Sequence, residues 1–202
     1  MDRKLIDESR ARENDDLKVF SLGVFNSAND VWEVIFTEQL GKEYRKPVFV
    51  TFTDETLLGC GGASTSSGPF YCPADEKVYI DLSFFHELAQ RFNAPGELAM
   101  AYVTPHEEGH HVQKLLGYLD YREQMHRKIN QKECNELSVR VEVQADFFAG
   151  IWARKAVDMK IIELEPGDIE SALGAANAVG DDTLQKRAQG YTVPDLFTHS
   201  TS

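Results

Sequence analysis

Apolar residues along this chain fall mainly at helical spacing, with two short β-rich runs in the first half. The first sixteen residues or so are polar and read as a frayed lead-in. Val31, Val34, Ile35 and Leu40 then predict a helix over Asn29 to Leu40, with Asn29 or Asp30 as its cap. Lys46 to Phe52 reads as a strand, VFVTF following Pro47, and VYIDL over Val78 to Leu82 as a second. Gly59 to Gly68 reads as loop and Ser83 to Phe92 as a short helix. Helical patterns follow over Pro95 to Leu116, stopped by Gly117, then about Tyr121 to Asn130 and Glu133 to Val157. A last helix is predicted over Asp168 to Val179, with Asp168 as N-cap after Pro166-Gly167 and Gly180 as its stop. The tail from Gly190 is irregular. A few strands followed by helices predict an α+β fold with one small sheet.

Length changes this picture little. The 202 residues suit one domain with a tail: a polar, partly disordered segment over 1–28 and a domain over 29–202. Charge excludes more. The net charge is −12 and no run of Lys and Arg stands out, which argues against nucleic acid or an anionic membrane surface as partner. No apolar stretch is long enough to cross a bilayer, and MDRKLIDESRARENDD is too charged for a signal peptide, so the chain as written reads as soluble. Cys60 and Cys72 flank the loop CGGASTSSGPFYC. A disulfide there would stabilise by roughly 3 kcal/mol in the loop-entropy view and needs an oxidising compartment; two reduced cysteines are the alternative. Cys134 is the odd one and is expected to be free.

The chemistry sits in VTPHEEGHHVQ. His106-Glu107-Glu108-Gly109-His110 is H-E-x-x-H on a predicted helix. A helix turns about 100° per residue, so His110 returns to within about 40° of His106 on one face. Two imidazoles one turn apart can converge on one tetrahedral Zn2+ ion. Glu107 projects beside that ion rather than onto it, where it can act as general base on a water and then give the proton to a leaving amine. The same residues also read as a capping box, with Thr104 as N-cap, Pro105 at N1 and Glu107 at N3. Proline inside a helix costs about 3 kcal/mol, which favours that start.

Zinc needs a further protein ligand. The extended metzincin pattern would place Gly at 113 and His at 116, but Gln113 and Leu116 stand there, which excludes that class. SVRVEVQADFFAGIWA offers Glu142 and Asp146 four apart on one helical face, an arrangement in which one acid binds metal and the other orients a histidine. Surface pairing of Glu142 with Arg140 is the alternative, and His126, in the polar run YREQMHRKINQK, is a further ligand candidate. His111 points about 100° from His110 and reads as supporting or structural. Gly109 weakens a helix by about 1 kcal/mol, which close approach of the helix carrying Glu142 would explain. His86 reads as an ordinary partly exposed residue. His199, in the tail, is a candidate oxyanion or substrate contact.

HEEGHHVQKLLG followed by SVRVEVQADFFAGIWA resembles the bacterial neutral zinc metallopeptidases. The resemblance extends to CGGAS, GPFYCPADEKVYIDLSFFHEL, EPGDIE and PDLFTHSTS, and so covers almost the whole chain from about Val31. The Glu142-to-Asp146 pattern is also similar to gluzincin peptidases of the heat-shock and CAAX-prenyl type. That similarity implies Glu142 as third zinc ligand and Asp146 as the acid behind a ligand histidine. It further implies a zincin-like fold in which VYIDL lines the substrate cleft. Ser200 stands where relatives carry Gly, Phe147 where many carry Cys, and Pro105 and Glu108 replace smaller or apolar residues. Relatives are usually membrane-anchored, which implies an extracytoplasmic or membrane-associated catalytic domain.

The leading expectation is therefore a zinc metalloendopeptidase that hydrolyses peptide or protein substrates. The alternatives are a zinc-binding scaffold without turnover and a zinc-free helical domain in which Glu107 is a helix cap.

Overall fold

The computed structural model describes residues 3–53, 55–56, 63–64, 69–85 and 96–179, with the side chains of 12, 14–53, 69–85, 100–170 and 172–174. Helix α1 spans Arg3–Val34 and runs into a π-helical turn over Ile35–Leu40, which Gly41 ends in the left-handed region at φ 60°. Strands β1 (Val48–Phe52), β2 (Glu55–Thr56), β3 (Ala63–Ser64), β4 (Phe70–Cys72) and β5 (Lys77–Asp81) follow. Then come α2 (Gly96–Leu116), α3 (Tyr118–His126), α4 (Gln131–Asp158) and α5 (Asp168–Val179). The fold is α+β and mostly helical.

The main sheet has the order β1-β5-β4. β1 pairs parallel with β5 from Val48↔Lys77 to Phe52↔Asp81, and β4 pairs antiparallel with it from Phe70↔Tyr79 to Cys72↔Lys77. Strands β2 and β3 form a separate antiparallel ribbon. Side chains alternate along β5. Val78 and Ile80 enter a core with Phe85, Met100, Val103 and Val141, while Tyr79 joins Phe52 and Cys72 on the other face. A second core gathers Val31, Trp32, Phe36, Tyr44, Val112, Phe148 and Trp152 where α1, α2 and α4 meet. Helix α2 feeds both cores, Val103 into one and Val112 into the other. Trp152 donates to Ser27 Oγ at 3.0 Å and ties α4 to α1.

Several expectations change. No helix begins at Asn29, because α1 passes through it with the Asn29 amide bonded back to the Phe25 carbonyl. The segment read as a polar lead-in is the first part of α1, and Leu17 and Phe25 belong to the core, so packing begins before residue 29. The capping-box reading is also overturned. Thr104 lies inside α2, its buried Oγ1 caps nothing, and Pro105 sits mid-helix. Proline withholds the N–H that the Ala101 carbonyl would receive. Burial of α2 between two cores outweighs that local cost.

β5 is the central strand, so its Lys77–Tyr79 stretch is paired on both sides and cannot receive a peptide edge to edge. Asp168 is the first residue of α5 rather than its cap, and its carboxylate accepts from the Glu165 N–H at 2.8 Å. Asn130 and Glu133 form a reciprocal capping box at the head of α4. Residues 82–85 are helical, but His86 and the rest of the helix predicted to Phe92 lie outside the described residues, as do Gly180 and the tail.

Candidate metal centre

His106 and His110 stand one turn apart on α2, and Glu142 faces them from α4. The ring centroids of the two histidines are 4.9 Å apart with perpendicular planes. Nε2 of each lies 3.4 Å from the same atom, Oε2 of Glu142. All three side chains offer donor atoms within 4.8 Å of one another. Surface pairing of Glu142 is excluded, since only 7% of the residue is exposed.

The far side of each imidazole is anchored. His106 Nδ1 donates to Asp146 Oδ1 at 2.7 Å, and the Tyr102 hydroxyl donates to the same oxygen. His110 Nδ1 donates to Gln113 Oε1 at 2.9 Å. Both Nε2 atoms therefore turn toward Glu142. Burial alone would drive the proton off His106. The Asp146 hydrogen bond, with Glu142 and Glu107 nearby, overcomes it and raises the pKa to about 9. Burial likewise works to raise Glu142 and Asp146, yet the histidines hold both carboxyls below their usual range. The cavity favours positive charge at its centre.

A zinc ion fits this arrangement on geometry and donor type. Zinc bonds of about 2.0–2.2 Å at tetrahedral angles separate neighbouring donor atoms by about 3.3–3.5 Å, the spacing found between each Nε2 and Oε2 of Glu142. Glu142 Oε2 is buried with no hydrogen-bond partner of its own. Two neutral imidazoles and one carboxylate, with an acid behind the first ring, form a common zinc donor set.

Glu107 is 1% exposed and lies outside the donor group. Its charge is felt by both His106 and Tyr102, which places it beside the cluster. Glu108 points elsewhere. It is fully buried, neither carboxylate oxygen has a partner, and burial pushes its carboxyl well above the usual range. His111 is structural. Its Nε2–H donates to the Arg45 carbonyl at 2.6 Å, which leaves Nδ1 to accept from the Tyr71 hydroxyl at 2.9 Å. Burial lowers its pKa and keeps it neutral. His126 is exposed at the end of α3 and joins no donor group.

His199 and Cys60 lie outside the described residues. Cys72 is disulfide-bonded, whereas Cys134 is free and buried. An apolar cavity of about 460 Å³ opens behind Asp146 and Tyr102, walled by Phe20, Trp152 and Leu173, and touches none of the three donors. Tyr102 and Gln113 were not singled out as site residues from the sequence. The only local signal for Gln113 was its position three residues after His110.

The family model described as "Putative neutral zinc metallopeptidase" matches residues 3–202, and the chain belongs to that family. It is 46% identical over 188 residues to "Uncharacterized protein YpfJ" of Escherichia coli K12, covering 93% of this chain and 64% of that protein. It is 39% identical over 186 residues to "Uncharacterized protein Mb2605" of Mycobacterium bovis, covering 88% of this chain and 60% of that protein. The chain thus spans less than two thirds of the length of these curated relatives. No solved structure matches it. No helix among the described residues is long and apolar enough to cross a membrane.

Proposed function

We propose that this chain is a zinc-dependent peptidase of gluzincin type with a zincin-like fold. His106, His110 and Glu142 hold the metal. The supporting observation is the convergence of both Nε2 atoms on one Glu142 oxygen at 3.4 Å, with each Nδ1 anchored. Zinc bound there acts as a Lewis acid that polarises a peptide carbonyl and makes water nucleophilic near neutral pH.

The rest falls to the chain's own residues. The Glu107 carboxylate takes a proton from the attacking water as the new C–O bond forms. It then gives that proton to the amine nitrogen as the C–N bond breaks. Asp146 keeps the His106 proton on Nδ1, and Tyr102, whose own pKa is raised, stays protonated and holds Asp146. The substrate is a peptide or protein, and the disulfide at Cys72 suits an extracytoplasmic setting.

Glu107→Gln is the test, with zinc per chain and cleavage of a broad peptide library measured together. Zinc retained with cleavage abolished supports the peptidase. Zinc retained by both proteins with no cleavage by either supports a binding scaffold instead. A parent that takes up no zinc, even on reconstitution, refutes both.

A further inference from the structure

Gln113 is fully buried on α2, one turn beyond His110. Its Nε2 reaches across to α4 and lies 2.6 Å from the Val141 carbonyl oxygen and 3.0 Å from Gln144 Oε1. A backbone carbonyl can only accept, so the nitrogen end of the amide must face Val141. The oxygen end must then face His110. An oxygen acceptor at 2.9 Å from Nδ1 requires the proton of His110 on Nδ1, which leaves the Nε2 lone pair toward Glu142. The fixed carbonyl of Val141 thus dictates the tautomer of a histidine on the other helix. Val141 also immediately precedes Glu142, so the bond that orients the amide pins the backbone presenting the third donor.

We propose that Gln113 is the positioning residue of the centre, setting the tautomer of His110 and the placement of Glu142 with one amide. The inference rests on the zinc reading above and adds a residue to it. It also makes the two histidines unlike. His106 is backed by a carboxylate and His110 by a neutral amide. Among the described residues, Asp146 is the one carboxylate hydrogen-bonded to the far side of a ligand ring.

Long-range nitrogen–proton correlation NMR on the unmutated, zinc-loaded protein reads the tautomer directly. The expected spectrum has the His110 proton on Nδ1 and the metal shift on Nε2. Chelator competition on Gln113→Leu is expected to show zinc affinity reduced about 10–100-fold. Gln113→Glu, which keeps an oxygen for His110 but has no N–H for the Val141 carbonyl, is expected to recover only part of that loss. A zinc-loaded parent with the His110 proton on Nε2 overturns the proposal whether or not either variant folds. So does a folded Leu variant with parental affinity. A parent that binds no zinc fails differently, since it removes the metal reading itself.

Discussion

Gly109 of one ligand-bearing helix lies directly against the backbone of Ala145 on the other. A Cβ added at Gly109 would stand 2.9 Å from the Ala145 carbonyl oxygen and 3.1 Å from its Cα, both backbone atoms that cannot swing aside. Three residues along α4 from Glu142, this contact sets how near its carboxylate comes to His106 and His110.

Gly109→Ala should therefore separate α2 from α4, although alanine is the better helix former by about 1 kcal/mol. Overpacking of this kind costs about 1–3 kcal/mol. The expected result is a lower thermal midpoint together with weaker zinc binding. Gly150→Ala is the matched control, because nothing lies within 4 Å of a Cβ there. It should raise stability by about 0.5–1 kcal/mol and leave zinc affinity alone. Equal responses from the two variants would contradict the close-approach argument.

Asp146 holds His106 through Oδ1 and receives Tyr102 on the same oxygen. Asp146→Ala removes the acceptor and is expected to weaken zinc binding about 10–100-fold. Asp146→Asn keeps an oxygen for Nδ1–H and should lose less. Chelator competition orders the three proteins, and parental affinity in the Ala variant would remove Asp146 from the site.

Glu108 is a carboxyl buried without a partner, so an apolar side chain of similar length should suit its place better. Glu108→Met is expected to stabilise the fold by about 1–3 kcal/mol, read from urea unfolding with zinc present. A lower urea midpoint would show that the carboxyl makes a stabilising contact in solution.

Glu76 supplies the pH prediction. Its hydrogen bond with the Arg45 guanidinium holds the carboxyl below its usual range. The folded state then binds fewer protons than the unfolded state through this group. Its stabilisation is complete above the unfolded pKa of about 4.3 and disappears as pH falls through the lower folded value. Glu76→Gln should flatten the acid limb of a stability–pH curve. Superimposable acid limbs for parent and variant would show that the pair contributes nothing.

What could be read from the sequence was what local spacing encodes. His106 and His110 share a face because they are four apart, and Glu142 and Asp146 do so for the same reason. The α2 to α5 bounds follow from periodicity and stop signals to within a few residues. Pro105 misled because its cost is local, whereas the burial that overrides it comes from residues far along the chain. Gln113 was not legible as a positioning residue, because its meaning depends on a carbonyl 28 positions away. The same holds for His111, whose partners Arg45 and Tyr71 lie 66 and 40 positions before it. The central place of β5 arises from its parallel pairing with β1, which no hairpin signal announces.

Every described side chain that holds or backs the donor cluster comes from α2 or α4. Tyr102, His106, His110 and Gln113 sit on one helix, and Glu142 and Asp146 on the other, while the sheet supplies none. Metal retention and the shape of the sheet edges β1 and β4 are therefore separable traits. Substitutions along those edges would leave both donor-bearing helices untouched, so the sheet can diverge between relatives without any redesign of the two-helix clasp.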